Sequence, residues 1–195
     1  MRAFLVFLIA VLVPSVAFAH TGHGDTTGFI HGFEHPIGGL DHILAMVAVG
    51  VFAYVLGGKA LWLVPAAFVS MMIVGFALGL GGVNVPFVEL GIALSSVVIG
   101  GAAALGRPMP TAAAMSLVGV FAIFHGHAHG AEMPETASGA LYAAGFIVAT
   151  ALLHAAGIGA ALGTTKIVGK FGKPVAQVAG GLFALAGIGV LAGWL

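Results

Sequence analysis

The sequence predicts an all-α fold: a polytopic membrane bundle of six transmembrane helices after a cleaved signal peptide. Three observations carry that reading. Of the 195 residues, 61% are hydrophobic and only 6% are charged, where a soluble domain carries about 25% charged residues. Six apolar runs follow one another with Gly- and Pro-rich breaks between them. Every Lys and Arg beyond Arg2 falls in alternate breaks. So few charges cannot cover a water-soluble fold, and the bilayer is the expected solvent. The 32 glycines suit this setting, because small residues let membrane helices approach closely. The absence of cysteine rules out disulfides and thiolate metal sites. The net charge of zero gives no sign of nucleic acid as a partner.

Residues 1–19 read as a secretory signal. Arg2 supplies the basic start, Ala3 to Val13 the apolar stretch, and Ala17-Phe18-Ala19 the A-x-A cleavage site. Cleavage would leave His20 as the mature N-terminus, followed by a periplasmic His-containing segment over 20–35. Residues 36–195 form the transmembrane domain, with spans at 36–56, 60–80, 86–105, 110–127, 138–162 and 174–194. Each is near the roughly 20 residues a bilayer requires. Turn signals separate them at Gly57-Gly58, Gly81-Gly82, Arg107-Pro108, Met133-Pro134 and Gly172-Lys173-Pro174. Gly75 and Gly79 form a G-x-x-x-G pattern, which predicts tight helix packing.

Orientation follows from the basic residues. With the mature N-terminus outside, Lys59, Arg107, Lys166, Lys170 and Lys173 all fall in inner loops. That matches the positive-inside rule. The expected location is the bacterial inner membrane, multi-pass, with both mature termini periplasmic. The polar residues then sort themselves: eight of nine histidines and all six acids lie outside or at outer depth. His154 alone lies toward the inner half.

The segment His35-Pro36-Ile37-Gly38-Gly39-Leu40-Asp41-His42 is the strongest feature. Pro36 suits the first turn of a helix. Seven residues make nearly two turns, which puts His35 and His42 on one face. Asp41 would then lie roughly 8–9 Å below the helix start, where a carboxylate costs about 2.5–3.5 kcal/mol and needs a partner. Its possible roles are direct metal ligation, orienting a ligating histidine, or a buried Asp–His bond that only locks helices together.

In Phe124-His125-Gly126-His127-Ala128-His129-Gly130-Ala131-Glu132, a continuous helix would set His125, His129 and Glu132 on one face. Imidazole and carboxylate suit nickel, cobalt, zinc or copper(II). The bland alternative is a solvated His-rich loop, and Gly126 and Gly130 weaken the helix there. His127 points elsewhere, toward a neighbouring helix. His20 and His23 form a weak metal-gathering arm or a plain linker. Glu89 is either a ligand or an internal hydrogen-bond partner, and His154 either an inner relay or a packing residue. Met46 lies one turn below His42 and reads more readily as core filler.

These segments resemble a known family. His35 to His42 is similar to the H-x5-D-H signature of the HupE/UreJ family of nickel permeases, and Phe124 to Glu132 to its F-H-G-x-A-x-G-x-E signature. The leader, the six spans and the length are similar as well. The resemblance implies metal handling by His35, Asp41, His42, His125 and Glu132. It also implies a supply of nickel to hydrogenase or urease, with cobalt or another metal as cargo in some members. His127 and His129 fall at variable signature positions and rest on the helix reading alone.

The function expected on these grounds is a secondary permease for Ni2+, or for Co2+ or another divalent transition metal. The metal ion is its substrate and lipid its surroundings, with no prosthetic group. No phosphate-binding loop is present, so the chain has no ATP motor of its own. Two other classes fit the residues: an intramembrane zinc-dependent hydrolase, for which the histidines and acids could hold the metal, and a periplasm-facing metal sensor or chaperone. Ser95, Ser96 and Ser116 lack a G-x-S-x-G context, which disfavours a serine enzyme.

Overall fold

The computed structural model describes residues 28–134 and 137–195; the signal segment, His20, His23 and Glu135 lie outside the described residues. Among those described there is helix and no strand. The order is α1 (Gly28–Gly38), α2 (Leu40–Leu56), α3 (Ala60–Leu80), α4 (Val88–Leu105), α5 (Thr111–Ala131), α6 (Gly139–Val168), a 3-10 turn (Gly169–Phe171) and α7 (Gly172–Leu191).

Helices α3, α4 and α5 are each long and apolar enough to cross a membrane. So is the stretch Gly139–Leu191, which holds α6 and α7 on either side of the 3-10 turn, where Gly169 takes a φ of 58°. The bent pair α1 and α2 qualifies when taken together. The chain is thus a multi-pass membrane protein. The predicted span at 60–80 coincides with α3. The helix predicted over 110–127 runs on to Ala131.

The first predicted span is corrected. It is not one helix from residue 36: α1 and α2 meet at 82°. Gly39 interrupts the helix with extended dihedrals (φ −103°, ψ 125°). Pro36 lies near the end of α1, not in the first turn of a new helix.

Helix α2 is the hub. It packs against α3, α4, α6 and α7, and most of its length is buried. A helix enclosed by others shows no polar stripe, and its sequence is apolar all round.

Glycines set how closely the helices meet. A Cβ on Gly75 or Gly79 of α3 would collide with the carbonyls of Ile123 or His127. A Cβ on Gly126 or Gly130 of α5 would collide with those of Met72 or Phe76. The facing positions rise together along both helices, so α3 and α5 run parallel, backbone against backbone. Gly126 and Gly130 therefore do not end the helix; what they lose in propensity is offset by this close approach. Gly32 of α1 and Gly145 of α6 interlock in the same way, as do Gly50 of α2 and Gly157 of α6.

Candidate metal centre

The break at Gly39 shapes the site. By turning α1 across the top of α2, it brings His35 back over His42, their ring centroids 6.0 Å apart. The proximity expected from seven-residue spacing is present, but through a bend between two helices and not along one face. Asp41 is likewise not buried deep in a long helix. It lies in the first turn of α2, at the positive end of the helix dipole, where a carboxylate is stabilised by about 0.3–1 kcal/mol. Its side chain is 27% exposed, so the large insertion cost does not apply. Asp41 Oδ1 accepts from the His42 backbone N–H at 2.8 Å and lies 3.1 Å from His42 Nδ1. A carboxylate can only accept, so His42 holds its proton on Nδ1 and leaves Nε2 bare. That Nε2 is buried and has no hydrogen-bond partner.

Helix α5 supplies the opposite wall. His125 and His129, one turn apart, are both fully buried (0% exposed). The His129 ring lies 4.8 Å from His35 and 5.3 Å from His42, and stacks flat on Phe146 of α6 at 4.7 Å. His125 lies 4.8 Å from His42. Glu132 caps α5 and places Oε2 3.2 Å from His35 Nε2. One ligand atom from each of His35, His42 and His129 falls within 4.8 Å of the others. Neither ring nitrogen of His129, nor the Tyr142 hydroxyl beside His35, has a hydrogen-bond partner. Buried polar atoms are rarely left unpaired. With one bare nitrogen on each neutral imidazole, the rings converging here form a donor set suited to a divalent transition metal.

Above this group an open cavity of about 440 Å³ is walled by His31, Glu34, His35, Asp41, Glu89 and Glu132. Glu89, in the first turn of α4, thus lines the approach and is not among the three residues whose ligand atoms converge. Four carboxylates around one mouth concentrate cations there.

Two of the predicted residues sit apart. His127 Nε2 is 2.7 Å from the Val83 carbonyl, so its N–H donates to the α3–α4 connection and the ring leaves the cluster. That is a tie between segments; Nδ1 of the same ring is buried without a partner, and His127 lies outside the group of three whose ligand atoms converge. His154 lies deep in α6 with neither ring nitrogen partnered. Phe68 stands between it and the cluster, its ring 5.7 Å from His125 and 5.2 Å from His154. A mainly apolar cavity of about 370 Å³ between α3 and α6 reaches from His154 to Leu61 and Trp62 at the start of α3. Met46 is fully buried in the core.

The sequence does not single out Tyr142 or Phe146, and it raises Ser95 only as a disfavoured nucleophile. Ser95 Oγ lies 2.9 Å from His125 Nε2. Aromatic and serine residues in apolar helices are too common to mark a site on their own.

The sequence model of the family described as HupE / UreJ protein matches residues 8–190. Protein HupE of Rhizobium leguminosarum bv. viciae is 49% identical over 187 residues, covering 95% of each chain. No solved structure matches the chain.

Proposed function

The chain belongs to the HupE/UreJ family, a permease family and not an enzyme family, and from that premise we propose that it is a secondary permease carrying Ni2+ from periplasm to cytoplasm. Family membership supports a role related to nickel or cobalt transport; Co2+ is the alternative cargo. The observation that carries the reading is the convergence of His35, His42 and His129, their ligand atoms within 4.8 Å of one another. In this reading the carboxylate-lined cavity gathers the hydrated ion. Asp41 holds His42 so that Nε2 faces it. The imidazoles of His35, His42 and His129 replace water, with His125 below them and Glu132 beside His35. His154 serves as an inner station beyond Phe68. His20 and His23 act as a gathering arm for the ion.

We place the protein in the inner membrane with both mature termini in the periplasm, after removal of residues 1–19. Support comes from Lys59, Arg107, Lys166, Lys170 and Lys173, all at or beside the α2–α3, α4–α5 and α6–α7 connections. With that orientation the membrane potential drives import. Two charges moving inward through 100 mV gain about 4.6 kcal/mol, twice the single-charge figure. The cargo would supply nickel enzymes such as hydrogenase or urease.

The test is uptake of radioactive nickel by cells, and by sealed vesicles holding purified protein, for the wild type and for His42→Ala. Luminal accumulation that the substitution abolishes is expected. Binding to the wild type with no accumulation would instead make the protein a periplasm-facing sensor or chaperone.

A further inference from the structure

We propose that Ser95 of α4 is a positioning residue for the metal route: it fixes the tautomer of His125, so that the bare Nδ1 of that ring becomes the next ligand below His35, His42 and His129. The inference rests on the permease reading above.

The argument is one of proton counting. Ser95 is fully buried (0% exposed). Its hydroxyl donates to the Ile92 carbonyl one turn earlier on α4. A hydroxyl has a single proton. With that proton committed, the Ser95 oxygen can serve His125 Nε2, 2.9 Å away, only as an acceptor. His125 therefore carries its hydrogen on Nε2. In a neutral imidazole the other nitrogen is then a lone-pair donor. That atom, Nδ1, is buried and has no partner.

Its neighbour uses the same device in mirror image. Asp41 occupies Nδ1 of His42 and leaves Nε2 bare; Ser95 occupies Nε2 of His125 and leaves Nδ1 bare. The two rings stand 4.8 Å apart, edge to face. Each thus has one nitrogen held from outside the cluster and one free. Ligation requires a fixed tautomer and an empty acceptor. A ring that takes an ion from His42 needs both. Ser95 also differs from Ser70 and Ser116, whose hydroxyls bond only their own helix backbones. Helix α4 thereby contributes at two depths, Glu89 at the cavity wall and Ser95 beneath the imidazoles.

The test uses full-length protein labelled with 15N-histidine, with His125→Gln identifying the His125 signals. The wild type should show His125 as the Nε2–H tautomer. Ser95→Ala, which removes one atom, should release the ring to populate Nδ1–H. Nickel uptake into sealed vesicles should fall about tenfold to a hundredfold, the usual cost of removing a group that orients a metal ligand. Ser95→Thr, which keeps the hydroxyl, should retain the tautomer and most of the uptake. An Nδ1–H His125 in the wild type overturns the inference, even if Ser95→Ala fails to fold. So does a tautomer that ignores Ser95→Ala, or a tautomer that shifts while uptake stays at wild-type level. A wild type that neither binds nor accumulates nickel would overturn the permease reading instead, separately from anything Ser95 does.

Discussion

Gly126→Ala should disable transport while a chemically identical change elsewhere leaves it intact. A Cβ on Gly126 would sit 2.8 Å from the Met72 carbonyl carbon and 2.8 Å from the Phe76 nitrogen, and closer still to the Met72 oxygen. All three are backbone atoms of α3, so no side chain can swing aside. Ordinary contact begins at 3.4 Å, so α5 must withdraw from α3 by more than half an ångström. Overpacking of this kind costs about 1–3 kcal/mol. Gly126 lies next to His125 and one turn from His129, and metal–ligand distances tolerate only about ±0.2 Å. The displaced helix therefore cannot keep His129 in register with His35 and His42. Binding would have to draw the helices back against that strain, so at 1.4 kcal/mol per factor of ten nickel affinity should fall by about fivefold to a hundredfold. Gly101→Ala, where a Cβ meets nothing within 4 Å, is the control. The assay is nickel titration of both purified variants beside vesicle uptake. If Gly126→Ala matches Gly101→Ala in both, the backbone contact does not hold the site and the packing argument fails.

Asp41→Ala should weaken nickel binding about tenfold to a hundredfold by freeing His42 to rotate and change tautomer; unchanged affinity in a direct titration would mean the carboxylate does not orient the ring. His127→Ala should leave nickel affinity near the wild-type value while loosening the connection held at Val83, a difference readable by comparing titration with proteolysis of the 81–87 loop. A histidine must be neutral to ligate, so protons compete with the ion at the imidazoles and uptake should decline as the outer pH is lowered; uptake that stays level down to the lowest pH at which the vesicles remain sealed counts against histidine capture. The chain has no cysteine, so single cysteines at the exposed loop positions Asn84 and Met109 test orientation directly: an impermeant thiol reagent outside the cell should label the first and spare the second.

Much of the bundle was legible because membrane spans are written in composition. Length and apolarity locate α3 to within a residue, and the Lys and Arg pattern orders the connections. The bend was not legible. Hydropathy averages over a window, and Gly38-Gly39 inside an apolar run looks the same whether the helix continues or turns by 82°. For that reason the expected proximity of His35 and His42 came with the wrong geometry and too great a depth for Asp41. On α5, the 100° step per residue separates His125 and His129 from His127, and the structure keeps that separation. Ser95 was hidden for a different reason. Serines in apolar helices commonly bond their own backbone three or four residues back, and nothing local distinguishes one whose oxygen also accepts from a ring on another helix.

The arrangement explains why so many glycines are compatible with a defined site. Neutral imidazoles without a bound ion attract one another little, so the cluster cannot by itself hold α1, α2 and α5 together. The position of each ring must come from the backbones beneath. His35 is placed by α1, locked to α6 where Gly32 meets Tyr142 and Gly145 meets Phe29. His42 is placed by α2, locked to α6 where Gly50 meets the His154 carbonyl. His125 and His129 are placed by α5, locked to α3 through Gly75, Gly79, Gly126 and Gly130. Backbone-to-backbone contacts have no rotamers to lose, so they fix helix spacing more tightly than interdigitated side chains do. The ligand-bearing rings are thus divided between two glycine-locked groups, α1–α2–α6 and α3–α5, which meet at the cluster. A substitution that spreads either lock should damage the site as surely as removing a histidine, with every candidate ligand still present.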